Sequence, residues 1–288
     1  MIPHVRRVTT VTALCALAAA LAACGPARTA RAPRPAPSAT SVVPSSPAPS
    51  RAPTVAPGPA GLTPVFAHGP RARGKTVALT FDADMTADQG PRAAAGERFD
   101  NPPLLATLRR LKVPATVFMT GRWAEEYPDQ ARSLGHDPNF EVANHSYSHY
   151  AFTEDCHGLP TVSRERMRSD VERAYAALRE AGVPRPMPYF RFPGGCYDRA
   201  ALREISATGV TAVQWDVVSG DAFATDADAV ARQVLDGVRP GSVVVLHCTR
   251  SAAPVTEPAV RTIVPELRRR GFRFVKVSEL IGAANGRR

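Results

Sequence analysis

The chain has 288 residues, 44% hydrophobic and 22% charged, with a formal net charge of +10. That length and composition allow one domain of roughly 200 residues with a real core, plus appendages. The positive charge invites a nucleic-acid reading, but nine of the 36 basic residues lie before residue 76, where there is no Asp or Glu; the remaining 27 face 26 acidic residues. The folded part is therefore near neutral, and a basic groove is not indicated.

In chain order, Arg6 and Arg7, the apolar run Val8–Ala20 and a few small residues read as a secretion signal over 1–23. The run is too short for a confident membrane span. Leu21-Ala22-Ala23-Cys24-Gly25 resembles the lipobox of bacterial lipoproteins. The resemblance implies cleavage before Cys24, lipid attachment to its sulfur and an extracytoplasmic protein anchored to the membrane. An ordinary signal peptide with a chance Cys is the alternative. Twelve of the 28 prolines lie between Pro26 and Pro70. Residues 24–70 are accordingly expected to be a disordered, extended tether with too little apolar surface to offset the entropy of ordering.

A domain over 71–288 follows. Strand-like runs are expected at Thr76–Phe81, Ala115–Phe118, Glu141–Ala143, Tyr189–Phe192, Thr211–Trp215, Ser242–Leu246 and Arg273–Val275. Helical patterns lie between them at Pro102–Leu111, Trp123–Leu134, Ser163–Ala181, Asp198–Thr208, Asp226–Val238 and Val255–Arg270. Alternation of this kind implies an α/β fold, an irregular (β/α) barrel of about seven parallel strands. In such a barrel chemistry gathers at the carboxyl ends of the strands. Asp82, Asp84, His145, Arg191, Asp216 and His247 all fall at or just after an expected strand end.

The pattern centres on Asn144-His145-Ser146-Tyr147-Ser148-His149. Two histidines four apart share a face of a helical turn, so a single turn is expected here. Together with a carboxylate from Asp82-Ala83-Asp84, they form a ligand set for a hydrolytic divalent metal, zinc or alternatively cobalt, nickel or manganese. The second carboxylate is then free to act as a base.

Thr80-Phe81-Asp82-Ala83-Asp84, His145-Ser146-Tyr147-Ser148-His149, Arg191-Phe192-Pro193-Gly194-Gly195, Trp215-Asp216 and Leu246-His247 stand in the order of five motifs of polysaccharide deacetylases, which they resemble. These are the NodB-homology domains of carbohydrate esterase family four. The resemblance covers roughly Lys75 to Leu280 and implies metal-dependent removal of N-acetyl groups from amino sugars. It implies Asp84, His145 and His149 as metal ligands and Asp82 as general base oriented by Arg191, with the roles of the two aspartates open to exchange. Gly194 would supply an oxyanion N–H. His247 would be the acid, oriented by Asp216, although Asp216 could instead cap the loop after its strand. Trp215 and Leu246 complete the substrate-binding residues.

Ala83 between the aspartates, and Gly194 where an aromatic is usual, depart from the commonest pattern. Cys156, Cys196 and Cys248 allow three disulfide pairings, among which the sequence does not choose; Cys156–Cys196 is preferred because it would staple the loop after the His pair to the loop after Arg191. The expected substrate is a cell-wall glycan, most naturally peptidoglycan given the location, acted on by a monomer that binds no nucleic acid. The rivals are an acetyl-xylan or chitooligosaccharide esterase and a non-catalytic glycan-binding module.

Overall fold

The structure, a computed structural model, describes residues 51–286. Cys24 and the expected signal and lipid anchor lie outside the described residues. The central strand is Thr76–Ala83, buried over seven of its eight residues. Such a run, apolar on both faces, belongs inside a parallel sheet whose two faces are covered.

The described residues form nine strands, β1 Val65–Phe66, β2 Thr76–Ala83, β3 Ala115–Met119, β4 Phe140–Asn144, β5 Tyr189–Phe190, β6 Thr211–Val213, β7 Val217–Val218, β8 Ser242–His247 and β9 Arg273–Phe274. Nine α-helices accompany them: α1 Gly90–Ala94, α2 Pro102–Arg110, α3 Gly121–Glu126, α4 Pro128–His136, α5 Arg164–Glu180, α6 Arg199–Glu204, α7 Ala227–Gly237, α8 Thr256–Arg269 and α9 Val277–Ala284. The strands pair in the order β1-β6-β5-β4-β3-β2-β8-β7, with β9 on the start of β2, and every ladder is parallel. An antiparallel bridge from His68 to Ser242, beside a Gly69 N–H to Gly241 carbonyl bond of 2.8 Å, carries the chain after β1 to the start of β8. The two ends of the strand path thus approach each other in an incomplete barrel.

All seven expected strands are present, β5 and β9 shortened to two residues each, and β1 and β7, also of two residues, add to them. The helix expected over Trp123–Leu134 is two helices. Pro128 cannot continue α3, because it has no N–H to donate, and instead opens α4 at its first position. The expected start of the domain at 71 also needs correction, since residues 51–70 include folded structure. The Val55 N–H donates to Thr211 Oγ1 at 3.0 Å, the Tyr189 hydroxyl donates to the Pro53 carbonyl at 2.8 Å, and Phe66 is buried in β1. Three bulky apolar side chains of this Pro-rich stretch, Val55, Val65 and Phe66, pack against the apolar clusters of the domain.

Candidate active site

Register sets the site. Asp82 in β2 lies opposite His247 in β8, and Asn144 at the end of β4 lies opposite Phe190 in β5. One residue further along β4 and β5 come His145 and Arg191. Four strands, β2, β4, β5 and β8, therefore present Asp82, His145, Arg191 and His247 from one rim, the carboxyl end, as the barrel rule requires.

The segment 145–149 is an irregular loop, not the expected helical turn. Ser146 and His149 have φ of 69° and 57°, which no right-handed turn contains. Side chains hold it in place: Asn144 Oδ1 accepts from the Ser146 N–H at 2.8 Å, Ser146 Oγ from the His149 N–H at 2.9 Å, and Asp170 from the Tyr147 N–H at 2.9 Å. The loop still converges both imidazoles, with ring centroids 5.0 Å apart.

One donor atom from each of Asp84, His145 and His149 lies within 4.8 Å of the others. His145 Nε2 is 3.8 Å from Asp84 Oδ1, a buried atom with no hydrogen-bond partner. Two ligands of one zinc-sized ion, each about 2.1 Å from it, can be at most about 4.2 Å apart. His145 Nδ1 donates to the Arg191 carbonyl at 2.9 Å, leaving Nε2 with its lone pair toward Asp84. Burial pushes both imidazoles down to about 4, so they are neutral at pH 7, the form that binds metal. Burial also raises the Asp84 carboxyl, outweighing the attraction of His247 and His145; a bound cation would reverse that. The three residues fit a divalent ion. Cys156, His157 and Cys196 also cluster, but both sulfurs are consumed in a disulfide.

Asp82 has a different environment. Arg191 Nη1 donates to its Oδ1 at 2.6 Å, and both side chains are almost wholly buried. Arg191 is itself fixed by donating from Nε to the Val213 carbonyl and by lying over the Phe118 ring at 3.9 Å. Burial alone would raise the Asp82 carboxyl, but Arg191, His145 and His247 together hold it below the usual range. Oδ2 faces the metal ligands, 3.7 Å from His145 Nε2.

The expected orienter of His247 was Asp216, and this is corrected. Asp216 accepts from the Val243 N–H at 2.7 Å, from Ser242 Oγ at 2.9 Å and from Arg71 at 2.7 Å. Those contacts sit at the first residues of β8, whereas His247 is its last; five residues of strand separate them by about 16 Å. The partner is Asp221, whose Oδ1 is 2.7 Å from His247 Nδ1. Asp221 also accepts from the His247 N–H, Ser219 Oγ and Thr256 Oγ1. Burial opposes charge on His247, but Asp221 overcomes it and raises the imidazole to about 10. Only the turn Ser219-Gly220-Asp221, ahead of α7, hinted at this residue in the sequence.

Gly194 lies in the turn Pro193–Gly195 at φ 65°, and a Cβ there would stand 2.6 Å from Cys156 Sγ. Cys156 and Cys196 are disulfide-bonded, joining the loop after the His pair to the loop after Arg191, and Cys248 is free and buried. Trp215 lies against this turn, where a Cβ on Gly195 would meet its ring at 2.5 Å, and 5.3 Å from the Arg191 guanidinium. Leu246, expected among the substrate-binding residues, is fully buried and packs in the core cluster that also holds Phe81 and Val244. Its alternation along β8 turns it inward, away from any ligand.

The chain is similar to known proteins. The chain is 30% identical over 222 residues to a chitooligosaccharide deacetylase of a Bradyrhizobium species, covering 71% of this chain and 92% of that protein. It is 28% identical over 212 residues to a peptidoglycan-N-acetylglucosamine deacetylase of Bacillus cereus, covering 72% and 88%. Among solved structures it is similar to a family 4 carbohydrate esterase from Streptomyces lividans in complex with acetate, with 29% identity, a TM-score of 0.56 and coverage of 69% and 91%. The polysaccharide deacetylase family model matches residues 69–213. The chain belongs to the polysaccharide deacetylase family.

Proposed function

We propose that the protein is a metal-dependent N-deacetylase of amino-sugar polymers, acting outside the cytoplasm on peptidoglycan. One observation carries the reading: an ionised carboxylate, Asp82, gripped by a buried arginine, faces a neutral two-imidazole, one-carboxylate ligand set.

A divalent ion held by Asp84, His145 and His149, zinc by the donor set, would supply Lewis acidity to a water and to the acetyl carbonyl. Asp82 has one oxygen committed to Arg191, so Oδ2 takes the proton from the attacking water. The Gly194 N–H is assigned to the carbonyl oxygen as charge builds there. His247 has Nδ1 committed to Asp221, so Nε2 carries the proton that passes to the departing amine. The bond broken is the amide C–N; the products are acetate and a free amino sugar.

Peptidoglycan is favoured by the secretion signal, the lipobox-like Leu21–Gly25 and the Pro-rich segment after it, which together suit a membrane-anchored enzyme reaching into a wall. The likeness to the Bacillus cereus enzyme supports it. Chitooligosaccharides are the second reading, on the likeness to the Bradyrhizobium protein. The test incubates the purified, metal-loaded protein with peptidoglycan and with chitin oligomers and measures acetate, with and without a chelator. Chelator-sensitive acetate release is expected, faster from peptidoglycan; no release from any amino-sugar polymer removes the assignment.

A further inference from the structure

Among the described residues three large apolar side chains are exposed: Tyr197 at 39%, Val218 at 52% and Phe223 at 84%. Tyr197 stacks on Phe192, with centroids 5.3 Å apart and planes at 19°. Val218 is paired in β7 with Val245. Phe223 is the one left without a structural reason. It belongs to none of the apolar clusters, and its φ is 59°, a left-handed conformation that bulky side chains rarely adopt. A phenyl ring in water on strained backbone is unfavourable on both counts, and such outliers cluster where a ligand is handled.

The turn that carries Phe223 is over-determined by the catalytic rim. The Phe223 N–H donates to the Ala252 carbonyl at 2.6 Å, in the loop after β8, and the Ala224 N–H donates to the Asp221 carbonyl at 3.1 Å. Asp221 in turn holds His247. Two residues of chain reach at most about 7 Å, so the Phe223 backbone lies within that distance of Asp221, the residue that holds the proposed proton donor.

We infer that Phe223 is a stacking platform for a pyranose ring of the polymer, next to the sugar that loses its acetyl group and on the His247 side. The inference rests on the deacetylase reading. A pyranose offers a flat face of C–H bonds, which an aromatic ring covers without needing a polar partner. The turn's attachment to Asp221 and Ala252 ties this platform to the residue that holds His247.

The test compares the full-length protein with Phe223→Ala, Phe223→Trp and Phe223→Gly on N-acetylglucosamine oligomers from the dimer to the hexamer, and on a small aryl acetate ester. Phe223→Ala is expected to raise KM for the hexamer about 3- to 10-fold with kcat and ester hydrolysis unchanged. Phe223→Trp keeps the wild-type KM. Phe223→Gly raises KM as Ala does while raising the melting temperature, since glycine relieves the strained φ. An unchanged hexamer KM in Phe223→Ala, or an equal loss on the ester, overturns the inference. Calorimetric titration of the metal-free proteins with the hexamer decides it independently of turnover: weaker binding by Phe223→Ala supports the platform, and equal binding overturns it. Absence of acetate release by the wild type would sink the deacetylase reading itself, while leaving the binding measurement decisive for Phe223.

Discussion

Two carboxylates on the same rim are each tied to a cation, yet the pairs do opposite work. Asp82 is bound to Arg191, a partner with no proton to lose near neutral pH, so the carboxylate stays ionised and its free oxygen can only accept a proton. Asp221 is bound to His247, and there the partner is the group that titrates; the carboxylate holds a proton on the imidazole, the one the proposed mechanism delivers. The difference lies in which member of each pair can change charge within the working range. In the proposed mechanism acid and base are thereby separated on two neighbouring strands, β2 and β8, without any difference in the carboxylates themselves.

The sharpest way to break the comparison is Asp82→Asn. An amide cannot take the water's proton, and kcat should fall by about 10²- to 10⁴-fold while metal content, read by elemental analysis, is kept. Retained activity would show that Asp82 is not the base.

Arg191→Met comes next and reads on stability. It leaves Asp82 charged, buried and unpaired, which should cost about 3–5 kcal/mol. The pH dependence carries the sign. In the wild type the Asp82 carboxyl is lowered, so its contribution is present above the unfolded carboxylate range and lost as pH falls through the lowered value. In Arg191→Met burial dominates and the carboxyl is raised, so stability should recover as pH falls from 7 toward 5. Denaturant unfolding of the metal-free proteins at both pH values checks it.

Asp221→Asn tests the other pair. With His247 raised to about 10, the wild-type rate should hold until alkaline pH and fall as the imidazole loses its proton. Removing the Asp221 charge should move that limb downward by more than one pH unit and lower kcat about 10- to 100-fold at pH 8. An unmoved alkaline limb would separate His247 from the leaving-group proton.

The smallest effect is expected from Asp216→Asn, the aspartate that shares a stretch of sequence with Asp221 but latches Arg71 and the start of β8. Its pH–rate profile should overlay the wild type, with a stability loss of about 1 kcal/mol seen in thermal unfolding.

Much of this was legible before any coordinates. Alternating apolar runs announced the parallel sheet because buried strands need continuous apolar stretches, and the ordered Asp82, His145, Arg191 and His247 segments announced the rim. The choice between Asp216 and Asp221 was not legible. Both follow β6 by a few residues, and which meets His247 depends on how far along β8 each is carried by the short β7 strand. Leu246 illustrates the same limit, since its neighbour His247 faces the site while Leu246 alternates into the core. Spacing alone points to a helical turn at 145–149, and side-chain bonds from Asn144 and Asp170 impose a loop instead.

By itself, the sequence determined the α/β alternation, the near-neutral charge of the domain and the residue types available for metal and proton chemistry, because these depend on local apolar patterning and composition. Tertiary structure alone decided which aspartate serves His247, that residues in the Pro-rich stretch before 71 join the fold, and that Phe223 is left in water on a strained turn. Those outcomes depend on strand register and on contacts between segments far apart in the chain, which no local pattern encodes.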